Sequence, residues 1–151
     1  MFKPGLIKAI LSALLCVLTL MGTQAFAADD KPFADKKIVL QISDGDPFKQ
    51  TLVLNVANNL LREYGNDKVA IEIVAFGPGL RLLFADNANK GRIQGLDAAG
   101  VKFAACSNTI KNMAKQLGHR PEINPVATTN SPGVVRITKL VTEEGYTLVK
   151  P

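Results

Sequence analysis

Short apolar runs rich in β-branched residues alternate along this chain with longer amphipathic segments, and that alternation restricts it to one class of fold. Lys37-Ile38-Val39-Leu40-Gln41-Ile42-Ser43 reads as a strand. It stops at Asp44-Gly45-Asp46-Pro47, a turn cluster that supplies Asp46 as helix N-cap and Pro47 at the first helical position. A helix over 47–64 follows, with Leu52, Val53, Val56, Ala57, Leu60 and Tyr64 as its expected apolar stripe and Lys49, Gln50, Asn59, Arg62 and Glu63 facing away. Gly65 is the expected left-handed C-cap. Val69 to Phe76 is the second strand, closed by Gly77-Pro78-Gly79. A helical turn through Leu80–Phe84 precedes a helix over 89–99. Val101–Ala105 is the third strand, and 108–117 the helix after it. A looser stretch over 119–131 holds a brief strand at Val126–Thr128. A last helix opens at Pro132, with Val134, Val135, Ile137, Leu140 and Val141 on its apolar side, and Tyr146–Val149 is a final strand. Alternation with short connections predicts a three-layer α/β/α sandwich around a mainly parallel sheet of about five strands, with helices on both faces.

The first segment stands apart from that pattern. Met1–Lys8 carries Lys3 and Lys8 and no acid, Ala9–Met21 is almost wholly apolar, and Gly22–Ala27 ends in small residues ahead of Ala28-Asp29-Asp30-Lys31. This is the order of a secretory signal peptide cleaved near Ala27. The apolar run is shorter than the ~20 residues of a bilayer-spanning helix. Cys16 has Leu15 before it, which does not fit lipoprotein processing. The expected organisation is a signal peptide over 1–27, a polar lead-in over 28–36 and a single domain over 37–151, exported to the periplasm without stable membrane insertion.

Removal of the leader takes two of the 18 basic residues and none of the 13 acids, so the net charge falls from +5 to +3. That balance is too mild, and the basic residues too scattered, to imply nucleic acid. Cys16 leaves with the leader, and Cys106 is then the one cysteine left in an oxidising compartment.

Cys106 stands where the third strand turns into a helix. The unpaired N–H groups and positive dipole end of a helix start favour a thiolate. Two readings of it stand at this point: a nucleophilic or sulfur-carrying thiol, or a small inert buried residue. The loops 44–46, 77–79 and 106–108 all follow strands, so they share the rim where open α/β sheets bind ligands. Gly77 and Gly79, with Ser107 and Asn108, are the candidate anion-binding positions. No Cys-x-x-Cys motif exists, so a dithiol oxidoreductase is excluded. His119, the one histidine, lies at the far end of the helix that Cys106 precedes, ~15 Å away. One thiol and one imidazole so placed make no metal site. Gly77-Pro78-Gly79 lacks the spacing and the lysine of nucleotide-binding loops, and no cofactor is implied. Asp44 and Asp46 are explained as turn former and N-cap. On the first helix Leu54 and Leu61, with Asn55 and Asn58, lie off the expected stripe, which points to a homo-oligomer.

Taken together these residues resemble the DsrE/DsrF family, the small α/β proteins related to the TusD sulfur-relay subunit. The likeness spans Lys37–Pro151. It is carried by Lys37–Ser43 leading into a helix with Asn55, by Val74–Leu80 followed by Leu82-Leu83, by Phe103-Ala-Ala-Cys-Ser-Asn-Thr109, and by Gly133–Ile137, Glu144–Tyr146 and Lys150-Pro151. The resemblance implies a trimer or hexamer and a cysteine that accepts or passes on persulfide sulfur, at the position of Cys106, with Asn55 among the ligand-side residues. Relatives often carry a histidine just before the glycine-rich loop, where this chain has Phe76. The expected function is a periplasmic carrier of sulfane sulfur on a single cysteine, supplied by a small sulfur anion or a donor protein. The alternative is a non-catalytic oligomeric small-ligand-binding module of the same fold.

Overall fold

In the computed structural model the described residues are 31–151. The chain divides into two units, Met1–Pro32 and Phe33–Pro151, and the second is described here by itself. The expected leader, Cys16 and the start of the lead-in lie outside the described residues. No helix among the described residues is long and apolar enough to cross a membrane.

Five strands form one sheet: β1 (Lys36–Ile42), β2 (Val69–Ala75), β3 (Lys102–Ala105), β4 (Ala127–Thr128) and β5 (Thr147–Val149). Their order is β4-β3-β2-β1-β5, and every pairing is parallel. All residues of β2 are buried, which is why it reads as a continuous apolar run rather than an alternating one. The helices are α1 (Pro47–Tyr64), α2 (Lys90–Ala98), α3 (Ser107–Leu117) and α4 (Gly133–Thr142), with a 3-10 segment at Gly77–Leu83. The fold is the three-layer α/β/α sandwich that the alternation implies.

Its two outer layers are unequal. From β1 to β4 the strands advance in one direction, so right-handed crossovers place α1, α2 and α3 on one face. Val53, Leu54, Ala57, Leu61, Ile93, Leu96 and Ile110 pack there on Leu40, Ile71, Ile73 and Phe103. The chain then returns across the sheet to place β5 beyond β1, and α4 lies on the opposite face. There Ile137 and Leu140 cover Val39, Val74 and Ala104.

That face also holds a charge. Glu72, in the middle of β2, is buried. Arg136 on α4 reaches it with two hydrogen bonds, Nε to Oε1 at 2.8 Å and Nη2 to Oε2 at 2.6 Å, and donates Nη1 to Glu144 Oε1 at 2.7 Å. Glu72 above all, and then Glu144, hold the guanidinium even more firmly protonated than usual. A bidentate arginine–carboxylate pair fixes orientation as well as distance, so α4 has one seat on the sheet.

Two helical stripes differ from the sequence reading. On α1 the buried residues are Gln50, Val53, Leu54, Ala57 and Leu61, whereas Leu52 and Tyr64 are exposed. The core stripe is rotated by part of a turn, so Leu54 and Leu61 are core residues and carry no argument for association. Gln50, expected to face away, is buried because its amide braces two loops: Nε2 donates to Gly45 O at 3.2 Å and Oε1 accepts from Asn87 Nδ2 at 3.2 Å. On α4 the sheet-facing positions are Gly133, Ile137 and Leu140, and Val134, Val135 and Val141 are exposed. Gly65 has a positive φ, but its ψ of 151° is extended rather than left-handed helical.

Candidate functional site around Cys106

Cys106 is the N-cap of α3, directly after β3. Its N–H donates to Ala75 O at 3.0 Å, extending the sheet ladder, and its carbonyl accepts the first helical bond from Ile110 N at 3.0 Å. A cap residue of extended conformation usually offers a side-chain oxygen to the free N–H groups of the first turn. Here the cap residue carries a sulfur, and it makes no side-chain cap hydrogen bond. Burial pushes the Cys106 thiol up, but the neighbouring Thr109 hydroxyl and backbone N–H groups of Gly133, Thr109 and Asn108 favour the thiolate and hold it below the ordinary cysteine range. These donors come from the starts of two helices, α3 and α4, so two positive dipole ends face one sulfur.

Each donor is itself held in place. The Thr109 hydroxyl oxygen accepts from Gly77 N at 3.0 Å, which leaves its proton for the sulfur. Ser107 N donates to Ser131 O at 3.0 Å, tying the start of α3 to the residue before the Pro132 cap of α4. At Gly133 a Cβ would lie 3.2 Å from Cys106 Cβ and 3.1 Å from Phe76 Cβ. A side chain there would need Phe76 and Cys106 to give by a few tenths of an ångström, so glycine lets α4 start this close to the thiol without strain. Phe76 thus packs on the same glycine, as an apolar wall. Cys106 itself is buried, at 6% exposure.

The glycine loop serves the thiol indirectly. Gly77, at φ +53°, gives its N–H to Thr109. Pro78 has no N–H. Gly79 is buried, and a Cβ there would fall 2.5 Å from Ile42 O, so its lack of a side chain is explained by packing on the end of β1. The anion-binding part expected of Gly77 and Gly79 is therefore replaced, at Gly77, by the placing of Thr109. Ser107 and Asn108 do lie at the thiol, Asn108 through its backbone N–H. Asn55 does not join them. It is exposed on the third turn of α1, where its Oδ1 accepts from Arg92 Nη2 of α2 at 2.6 Å.

Other candidates fall where elementary chemistry puts them. Asp46 Oδ1 accepts from Phe48 N at 2.8 Å as the cap of α1. Asp44 Oδ1 accepts from Asp46 N at 3.0 Å, and its Oδ2 pairs with Lys49 at 2.7 Å, which holds the Asp44 carboxyl below the usual range. His119 is exposed beyond the end of α3, its Nδ1 3.3 Å from Arg120 O. Among the described residues no cluster of histidine, cysteine and acids is arranged to hold a metal. Thr109 and Gly133 are the site residues that the sequence reading did not single out. The signal for Thr109 was its place three residues after the cysteine, on the first turn of a helix; Gly133 lies too far along the chain for any local pattern to reveal.

No family model and no curated protein matches this chain. A solved structure does. It is a protein of unknown function, MTH1491 from Methanobacterium thermoautotrophicum, 29% identical, with a TM-score of 0.67 over 78% of this chain and 100% of the other. The likeness supports the α/β/α fold and carries no activity with it.

Proposed function

We propose that this protein is a periplasmic sulfur carrier, in which the Cys106 thiolate takes sulfane sulfur from a small donor such as thiosulfate or polysulfide. The observation that carries the reading is that Cys106 caps α3 while Gly133, the first residue of α4, packs on its Cβ, so the N–H donors of two helix starts lie around one sulfur. A thiolate is the attacking form of cysteine, and a persulfide formed on it is an anion that the same donors stabilise. With thiosulfate, Sγ attacks the outer sulfur, the new Sγ–S bond forms as the S–S bond to the oxidised sulfur breaks, and sulfite leaves with the bonding pair. One thiolate and one thiosulfate dianion give one persulfide anion and one sulfite dianion, so charge balances with no outside oxidant. Resemblance to the DsrE/DsrF family supports the same chemistry, and the leader-like first segment supports export.

Intact-mass spectrometry after incubation with thiosulfate or polysulfide tests this. A gain of ~32 Da (one sulfur) that is absent in Cys106→Ala supports it, since only thiolate chemistry attaches a sulfur atom there. The second reading, a non-catalytic oligomeric module binding a small ligand beside an inert cysteine, is favoured by the 6% exposure of Cys106. No mass gain, together with a thiol that resists alkylation until the protein is denatured, selects that reading.

Association belongs to the same proposal, on other residues than Leu54 and Leu61. Val134, Val135 and Val141 on α4 and Leu148 and Val149 on β5 are exposed apolar residues. They lie on the face covered by one helix and on the strand at the edge of the sheet. An open parallel edge beside an apolar helix face is a surface that a second copy covers well.

A further inference from the structure

Helix α3 carries a second feature, on the side that faces away from the core. Asn108, Lys111 and Lys115 follow one another at spacings of three and four residues, which puts them in one line. Arg120, just past the Gly118 cap, borders the same groove as that line. With these residues Ile110 and Ala114 border a shallow groove of about 530 Å³. No carboxylate lines it, and none of the three cations has an ion-pair partner among the described residues. Elsewhere Lys49, Lys68 and Arg136 each face an acid. Lys115 lies in the last turn of α3, where the carbonyl end of the helix favours a cation, and that accounts for this lysine alone. Lys111 and Lys115 stand roughly 6 Å apart along the helix axis and Arg120 lies beyond the helix end, an extended set that suits several carboxylates better than one small anion.

We propose that this groove docks an acidic segment of a partner protein, its carboxylates on Lys111, Lys115 and Arg120 and its backbone against the half-buried Ala114. A second copy of this chain does not fit, because its longest runs of acids are the pairs Asp29-Asp30 and Glu143-Glu144. Since α3 starts on the residue after Cys106, the partner lies along the element that bears the thiol. That consequence, unlike the docking, rests on the sulfur-carrier reading.

The test is titration of the purified protein with a fluorescein-labelled peptide of about twelve residues in which glutamates alternate with leucines. Binding is expected to weaken about tenfold between ~50 and ~300 mM salt, as screening of an exposed charge array requires. The variant Lys111→Glu/Lys115→Glu/Arg120→Glu is expected to lose at least about tenfold in affinity, and the milder Lys111→Gln/Arg120→Gln about threefold with the thermal midpoint unchanged. Cys106→Ala should bind as the parent does, so docking can hold even where sulfur transfer fails. Equal loss in Lys36→Glu/Lys90→Glu/Lys139→Glu, which changes net charge by the same amount elsewhere, overturns the proposal. So does equal binding of the peptide with glutamine for glutamate, or tighter binding of a single-stranded oligonucleotide of the same length.

Discussion

Gly133 stands so close to Cys106 that a methyl group on it would lie 3.2 Å from the cysteine Cβ. The first residue of one helix is thereby wedged against the cap of another, with its N–H turned to the sulfur. Gly133→Ala is expected to destabilise the protein by about 1–3 kcal/mol, the usual cost of overpacking. It should also raise the thiol pKa, because α4 must draw back and take one donor with it. Thermal unfolding and the pH profile of iodoacetamide alkylation read the two effects separately.

Thr109→Val removes the hydroxyl that accepts from Gly77 and donates to Cys106. The hydroxyl favours the charged form of the thiol, so its loss should raise the thiol pKa. Alkylation at neutral pH then slows, while the limiting rate at high pH is kept. Thr109→Ser restores the parent profile. A flat response to Thr109→Val would show that the backbone N–H groups suffice.

The lowered thiol pKa has a thermodynamic counterpart. A group whose folded pKa lies below its unfolded value adds stability that is full above the unfolded pKa, ~8.5 for cysteine, and is lost as pH falls through the folded pKa. The stability difference between the parent and Cys106→Ala should therefore grow as pH rises from the folded thiol pKa to about 8.5 and be constant above it. Denaturant melts across that range check the sign. A difference that shrinks with rising pH would mean the thiol is raised, not lowered.

Arg136→Met leaves Glu72 buried without its partner, and about 3–5 kcal/mol of stability should go with it. Glu72→Met/Arg136→Met together should cost much less, since no charge is then stranded. A double-mutant cycle by chemical denaturation measures the coupling.

Val135→Glu/Val141→Glu places charge on exposed apolar positions of α4. Sedimentation velocity should show a smaller species than the parent, with the far-ultraviolet spectrum unchanged. A parent that already sediments as a monomer removes the case for this face as an interface.

What the sequence made legible was whatever depends on neighbours in the chain. The strands, the Asp46 cap and Pro47 start of α1, and Cys106 at a strand-to-helix junction all follow from local pattern. What it hid depends on which way the chain turns in space. Leu54 and Leu52 differ by two positions on one helix, and a small rotation exchanges core for surface. Glu72 sits in an apolar run, and only Arg136, brought by the return of the chain across the sheet, makes its burial tenable. Gly77 and Thr109 are each unremarkable alone; their bond joins the segments that follow two different strands.

The sheet is crossed late. Every strand from β1 to β4 and every helix of the thick layer precedes α4 in the chain, and Gly133 begins that last helix. A polypeptide emerging from the ribosome or a translocation pore therefore carries Cys106 without its fourth donor until nearly all of its length is free to fold. The full setting of the thiol is thus a property of the finished molecule, and a chain that stops short of residue 133 lacks the α4 side of it.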